Sequence, residues 1–265
     1  MKRCVVLACS GATDNIAAIP RLGAEFDADV VTLTLDVGQA GELEAIRQAA
    51  LGAGALRAHV LDARDNFARG CVTASLADSP AASSPAHKVT CLLIAANLVE
   101  IARIEGAELV AHGGGEEDDA TIEAAVRALD KSIRVVRTGA PAHSPHAVHT
   151  TLWERPTEEA STSMPKPELD APARLEIAFE AGLPVSVNGI SMSLPELIES
   201  VSTIAGTHGV GRLTATSGAA VHAPAAVVLQ AAHDALGADA ACASAATVCL
   251  ELFRGEHRVL SAHHS

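Results

Sequence analysis

Short, largely apolar runs alternate with helix-length amphipathic segments through the first half of the chain. The runs lie at 4–9, 30–35, 58–61, 109–112 and 133–136. Helical periodicity fills the gaps at about 14–26, 40–52, 65–77, 88–105 and 117–129. Strands that are apolar on both faces and separated by helices belong to parallel sheets covered on both sides. The pattern predicts an α/β domain with a doubly wound parallel sheet of five strands. A ligand of such a sheet sits at the carboxyl ends of its strands. Here those ends read Ser10-Gly11, Asp36-Val37-Gly38-Gln39, Asp62-Ala63-Arg64 and His112-Gly113-Gly114-Gly115. The first of them leads straight into a helix, whose open N–H groups suit a phosphate.

The second half has another texture. A break at 79–85, rich in Ser, Pro and Ala, precedes the long helix. From 138 to 172 the chain is rich in Pro, Ser, Thr and His with little periodicity. This divides the chain into a nucleotide-binding α/β domain at 1–140, a linker or extended arm at 141–172, and a smaller α+β domain at 173–265. Within the last, 174–179 and 184–188 form a predicted hairpin, and Asn188-Gly189 marks a second turn. Ser193, with Glu196 three residues on, predicts a capping box for a helix to about 205. A strand is expected at 209–215, with alanine-rich helices at 225–236 and 241–253. No internal repeat is found.

Composition narrows the function classes. Of the 265 residues, 49% are hydrophobic but only 2% aromatic, so the core is built from small side chains. The net charge of −13 disfavours nucleic acid or an anionic membrane as the main partner. The six cysteines show no C-x-x-C spacing, which fits reduced, packed thiols. Cys242 and Cys249 are spaced to share one helix face. No secretory leader and no membrane span is expected, and a cytoplasmic location fits best. Alanine-rich helices would suit close packing in a homo-oligomer or in a tight monomer core.

Other chemistry-bearing groups have plainer readings beside the functional ones. Glu116-Glu117-Asp118-Asp119 would hold Mg²⁺ or simply complement a helix dipole. His143, His146 and His149 have ligand-like spacing in a Pro-rich arm. Cys91 and His87 lie one helical turn apart, as a nucleophile and base would, or as packed helix residues. Asp36 and Asp62 would cap the helices that follow them. No dedicated metal site and no particular catalytic residue is singled out.

Several runs carry a family resemblance: Leu35-Asp36-Val37-Gly38-Gln39, Leu93-Ile94-Ala95, Leu98-Val99-Glu100-Ile101-Ala102, Ala111-His112-Gly113 and Ile204-Ala205-Gly206-Thr207-His208-Gly209-Val210-Gly211-Arg212. With them the chain resembles argininosuccinate synthase, an ATP-pyrophosphatase-type ligase with an adenine nucleotide alpha hydrolase-like fold. The resemblance covers nearly the whole chain, thinly. It implies ATP with Mg²⁺, with Ser10, Gly11 and Asp14 on the phosphates. Backbone groups at Ala8, Leu35 and Gly113 would border the adenine and ribose. In that family ATP adenylates the ureido oxygen of citrulline, pyrophosphate leaves, and the amine of aspartate displaces AMP. Family members are longer, and their C-terminal oligomerisation helix would begin where this sequence stops.

The departures are specific. The family loop reads S-G-G-x-D-[ST]-[ST], whereas Ala12, Asn15 and Ile16 replace a glycine and two hydroxyl residues here. After His112-Gly113 the family's T-G-K-G-N-D-Q becomes Gly114-Gly115-Glu116-Glu117-Asp118-Asp119-Ala120, which would repel a dicarboxylate. The substrate-contacting arginine falls on Cys91, the two tyrosines on Ser83 and Val221, and a glutamate on His222. The expectation is a divergent ligase that adenylates a small substrate of unknown identity, other than citrulline plus aspartate, and joins it to an amine. The alternative is a catalytically inactive homologue acting as a binding or structural partner.

Overall fold

A computed structural model of the chain describes residues 3–39, 41–77, 85–113, 116–138, 150–156, 171–214, 220–237 and 245–264. The first half runs β1 (Arg3–Ala8), α1 (Thr13–Phe26), β2 (Ala28–Asp36), α2 (Leu43–Gly52), β3 (Arg57–Asp62), α3 (Arg64–Ala77), α4 (Ala86–Glu105), β4 (Leu109–His112), α5 (Glu116–Leu129) and β5 (Arg134–Arg137). Its sheet has the order β3-β2-β1-β4-β5, with every pairing parallel. The expected five-stranded, doubly wound sheet is therefore present.

Alternation along β1 explains how one short strand serves two layers. Val5 and Leu7 face a cluster with Ala18, Ile19 and Leu22 of α1 and Ala50 of α2. Val6 faces the other side, against Ala95, Leu98, Val99 and Ala102 of α4 and Ile122 and Val126 of α5. All three β1 side chains are fully buried. At about 25 cal/mol per Å² of apolar surface removed from water, this two-sided burial drives the sheet's assembly.

Two compact units emerge from the packing: residues 1–63 with 87–147, and residues 64–86 with 148–265. Helix α3 follows β3 directly, yet it packs in the second unit against α6 (Leu194–Thr207) and α7 (Pro224–Leu236). Its Phe67, Ala68 and Cys71 are buried there.

The second unit also holds β6 (Arg155–Pro156), β7 (Ala173–Glu180), β8 (Leu183–Val187), β9 (Ile190–Ser191), β10 (Arg212–Thr214), β11 (Ala220–His222), β12 (Ala245–Phe253) and β13 (Glu256–His264). One sheet has the order β13-β12-β7-β8-β9 and is antiparallel throughout; a smaller one has the order β10-β11-β6. The predicted hairpin is β7–β8. The Asn188-Gly189 turn has both residues at positive φ, 50° and 77°, as a tight two-residue hairpin loop requires. Strand β6 arises inside the segment read as a linker or arm, with Leu152, Trp153 and Glu154 buried just before it.

One expected element is overturned. The helix at 241–253 is in fact β12, paired on both sides. The alanines at 241–246 suggested a helix, but Ala246, Val248, Leu250 and Leu252 are buried in strict alternation. A period of two outweighs the helix preference of alanine when one face of a sheet needs covering. Cys249 therefore sits on a strand, and Cys242 lies outside the described residues. Most of the break at 79–85 and of the arm at 141–172, with its three histidines, lies outside them as well. Among the described residues, no helix is long and apolar enough to cross a membrane.

Candidate functional site

In the first unit the strand order reverses at β1, which lies between β2 and β4. Val5, Val6 and Leu7 of β1 pair with Leu109, Val110 and Ala111 of β4. The chain ends of β1 and β4, Cys9–Gly11 and His112–Gly113, thus emerge side by side. This is the crevice in which open α/β sheets bind ligands.

The loop from Ser10 to Ala12 is fixed by its contacts. Gly11 has φ +84°, and a Cβ there would lie 2.6 Å from Ile46 Cγ1 on α2. Only glycine meets both demands without strain. Ala12 occupies the N-cap of α1 and has no side chain to accept from the helix's first N–H groups. Those groups are the resource that an anion would use.

Asn15, the third residue of α1, turns back over the loop. Its Oδ1 accepts from the Ser10 backbone N–H at 3.1 Å and from Ser10 Oγ at 2.9 Å. The amide orientation follows from chemistry, since a backbone N–H can only donate. Asn15 is buried, whereas Ser10 is exposed. On the β4 side, a Cβ on Gly113 would lie 2.9 Å from Asn15 Nδ2 and 2.7 Å from Thr138 Oγ1. Asn15 thus bridges the two strand ends, and Gly113 must be bare to let it. Thr138 is 3% exposed, and its hydroxyl has no hydrogen-bond partner among the described residues. Its backbone N–H donates to His112 O, which ties β5 to the same rim.

The β2 rim is closed by its own side chains. Gln39 Nε2 donates to Leu35 O at 2.7 Å, and Gln39 Oε1 accepts from Val37 N–H at 2.7 Å. Asp36 Oδ1 accepts from Gly38 N–H at 2.9 Å. Asp36 therefore shapes its own turn, and the N-cap of α2 is Glu42. Thr34 Oγ1 donates to Cys9 O, locking β2 to the start of the loop. Burial pushes the Cys9 thiol up, partly offset by a hydrogen bond with the Gly11 backbone. A thiol held in its neutral form is a packing group and not a nucleophile.

The sequence-predicted residues Ala8, Ser10, Gly11, Asp14, Leu35 and Gly113 all belong to this unit, on or beside the ends of β1, β2 and β4. Asn15 and Thr138 were missed as site residues. The signal for Asn15 was its position three residues into a helix, from which a side chain can reach back toward the entering chain. Thr138 had no local signal, because only the register of β5 on β4 brings it to Gly113. Cys91 is buried on α4, with Sγ 4.0 Å from His87 Nε2, the outer limit for a sulfur contact. His222 belongs to the second unit, where burial first and Arg155 second hold its imidazole below its usual range. No cluster of three or more His, Cys, Asp or Glu fit to hold a metal occurs among the described residues. The side chains of Glu116–Asp119 are outside that description.

Comparison with known proteins adds a family. Residues 4–150 match the arginosuccinate synthase N-terminal HUP domain, and residues 147–241 match the arginosuccinate synthase C-terminal domain. The argininosuccinate synthase of Symbiobacterium thermophilum is 37% identical over 255 aligned residues, covering 80% of this chain and 63% of the relative. That of Streptococcus suis is 35% identical over 254, covering 80% and 64%. That of Streptococcus gordonii is 33% identical over 283, covering 88% and 70%. The chain thus spans roughly two thirds of the length of the curated relatives it matches. Among solved structures, an NAD+ synthetase from Burkholderia pseudomallei aligns with 48% of this chain and 60% of its own. That match has 19% identity and a TM-score of 0.33, too distant to carry an argument.

Proposed function

We propose, from the premise that this chain belongs to the argininosuccinate synthase family, that its first unit binds an adenine nucleotide and serves ATP-dependent ligation. The observation that carries this reading is the crevice between β1 and β4. There a positive-φ glycine, a helix start without a side-chain cap and a bare Gly113 stand together. Ser10, Gly11 and Asp14 would meet the phosphates, and the backbone at Ala8, Leu35 and Gly113 would line the adenine and ribose. Mg²⁺ would arrive with the phosphates, which supply most of its oxygen ligands.

The chemistry is adenylation followed by displacement. A substrate oxygen attacks the α-phosphorus of ATP and pyrophosphate leaves; an amine then attacks the activated carbon and AMP leaves. The substrate pair we assign differs from citrulline plus aspartate. Its support is the acidic run Glu116-Glu117-Asp118-Asp119 after Gly113, together with Cys91, Val221 and His222 at positions that the resemblance matches to substrate contacts. Four acids repel a dicarboxylate, and the net charge of −13 offers no long-range compensation. Free thiols at Cys4, Cys9, Cys71, Cys91 and Cys249 suit a cytoplasmic enzyme.

Titration calorimetry with MgATP and AMP tests the first half of this reading. Binding is expected, and the absence of heat or thermal shift at millimolar ligand would refute it. Pyrophosphate release over a panel of ureido, amide and carboxylate acceptors with amines tests the second half. Release with citrulline plus aspartate at family-like rates would overturn the substrate assignment. A second reading, an inactive homologue that binds a partner, is favoured by one observation: Asn15 already uses the Ser10 donors. No release with any acceptor would select it.

A further inference from the structure

We infer that Asn15 is a built-in occupant of the phosphate loop, making it a specificity determinant that disfavours polyphosphate over the nucleoside part of a ligand. This rests on the nucleotide reading given above. The Asn15 carbonyl oxygen sits 3.1 Å from the Ser10 nitrogen and 2.9 Å from Ser10 Oγ, as a phosphate oxygen held by the same two donors would. It is a neutral acceptor, delivered from within the chain, and it is held in place on its other side. Its Nδ2 packs against Gly113, where a Cβ would lie 2.9 Å away. A ligand phosphate must therefore displace a group that is already bonded and buried.

The trade is one of exchange. Each hydrogen bond to a neutral acceptor contributes a modest net amount, and one to a charged acceptor contributes more. A phosphate can win the exchange, but only by the difference. An adenosine moiety, which touches the β2 and β4 rims, does not enter it. Thr138 supplies an independent sign that the region expects a polar visitor. Its hydroxyl is buried, lies against Gly113, and has no hydrogen-bond partner among the described residues. Buried hydroxyls are rarely left so, since the missing bond costs free energy.

The test is calorimetric titration of the full chain with MgATP and with adenosine, in wild type, Asn15→Ser and Asn15→Asp. Asn15→Ser removes the competing carbonyl and is expected to tighten MgATP by about tenfold or more, the worth of one to two hydrogen bonds. Adenosine should stay within about twofold, because it has no phosphate to compete. Asn15→Asp keeps the shape and supplies a charged acceptor, so MgATP binding should fall below detection with adenosine retained. If wild type binds MgATP and neither variant departs from it, Asn15 does not compete, while the nucleotide reading stands. Equal tightening of MgATP and adenosine would also overturn the inference. If no protein binds either ligand, the nucleotide reading fails and takes this inference with it. Should Asn15→Ser not fold, the isosteric Asn15→Asp decides alone, with unchanged MgATP affinity as the refuting result.

Discussion

Helices α1 and α6 are both fourteen residues long, and each sends its third residue back over the chain that enters it. At α6 the N-cap is Ser193. Its N–H and hydroxyl both donate to Glu196 Oε2, at 2.9 and 2.6 Å, in a capping box. At α1 the N-cap is Ala12, and Asn15 passes over it to reach Ser10, two residues further out. The first arrangement closes a helix end with a charge, in solvent, for stability. The second ties down a loop with a neutral amide, and its N-cap residue offers the helix's first N–H groups no side-chain acceptor. The same local device closes a helix end in one unit and orders the candidate crevice in the other.

The largest effect expected comes from the residue that lets the α1 loop exist. Gly11→Ala adds a Cβ 2.6 Å from Ile46 Cγ1 at φ +84°. Conformational strain and overpacking together should cost about 2–4 kcal/mol. Urea unfolding should show a lower midpoint with an unchanged slope. Gly52→Ala is the control: its Cβ would enter open space at the end of α2, and the change should stabilise by about 0.5–1 kcal/mol. Equal behaviour of the two would mean that the α1 loop is not specially constrained. Next in size is Ser193→Ala, which removes the N-cap of α6 and should cost about 1 kcal/mol in the same measurement. A negligible loss there would remove the contrast between the two helix starts.

Legibility in the sequence followed the range of the interactions. The five parallel strands were readable because each carries a short, largely apolar run between helical patterns, and that pattern is local. The capping box at Ser193 and the turn at Asn188-Gly189 were readable for the same reason. β12 was misread because the alternating Val248, Leu250 and Leu252 follow an alanine-rich stretch whose composition favours a helix. The position of α3 in the second unit was invisible, since nothing in 64–77 states which surface it will meet. Ser10, Gly11 and Asp14 were expected from the family resemblance, and they lie between the end of β1 and the first turn of α1. Asn15 was read only as a missing hydroxyl; its role as an acceptor needed coordinates. Thr138 lies more than 100 residues from the loop, and only the pairing of β5 on β4 places it.

The smallest effect separates the two helix starts by charge. The Ser193 hydroxyl, and after it the Ser193 N–H, hold the Glu196 carboxyl below the ordinary glutamate range. A group whose folded pKa is depressed contributes stability that is present above its unfolded pKa and lost as pH falls through the folded one. The stability gap between wild type and Glu196→Gln should therefore be constant near neutrality and shrink as pH drops from the ordinary carboxylate range to below it. Asn15 has no proton to gain in that range. The gap between wild type and Asn15→Ala should stay flat over the same interval, because the Ser10 bonds end on an amide oxygen. Paired unfolding curves between pH 7 and the acid limit of folding would show both. A gap at Glu196 that does not move would mean that its bonds to Ser193 are not formed in solution. A gap at Asn15 that does move would mean that a titrating neighbour shares the loop's donors.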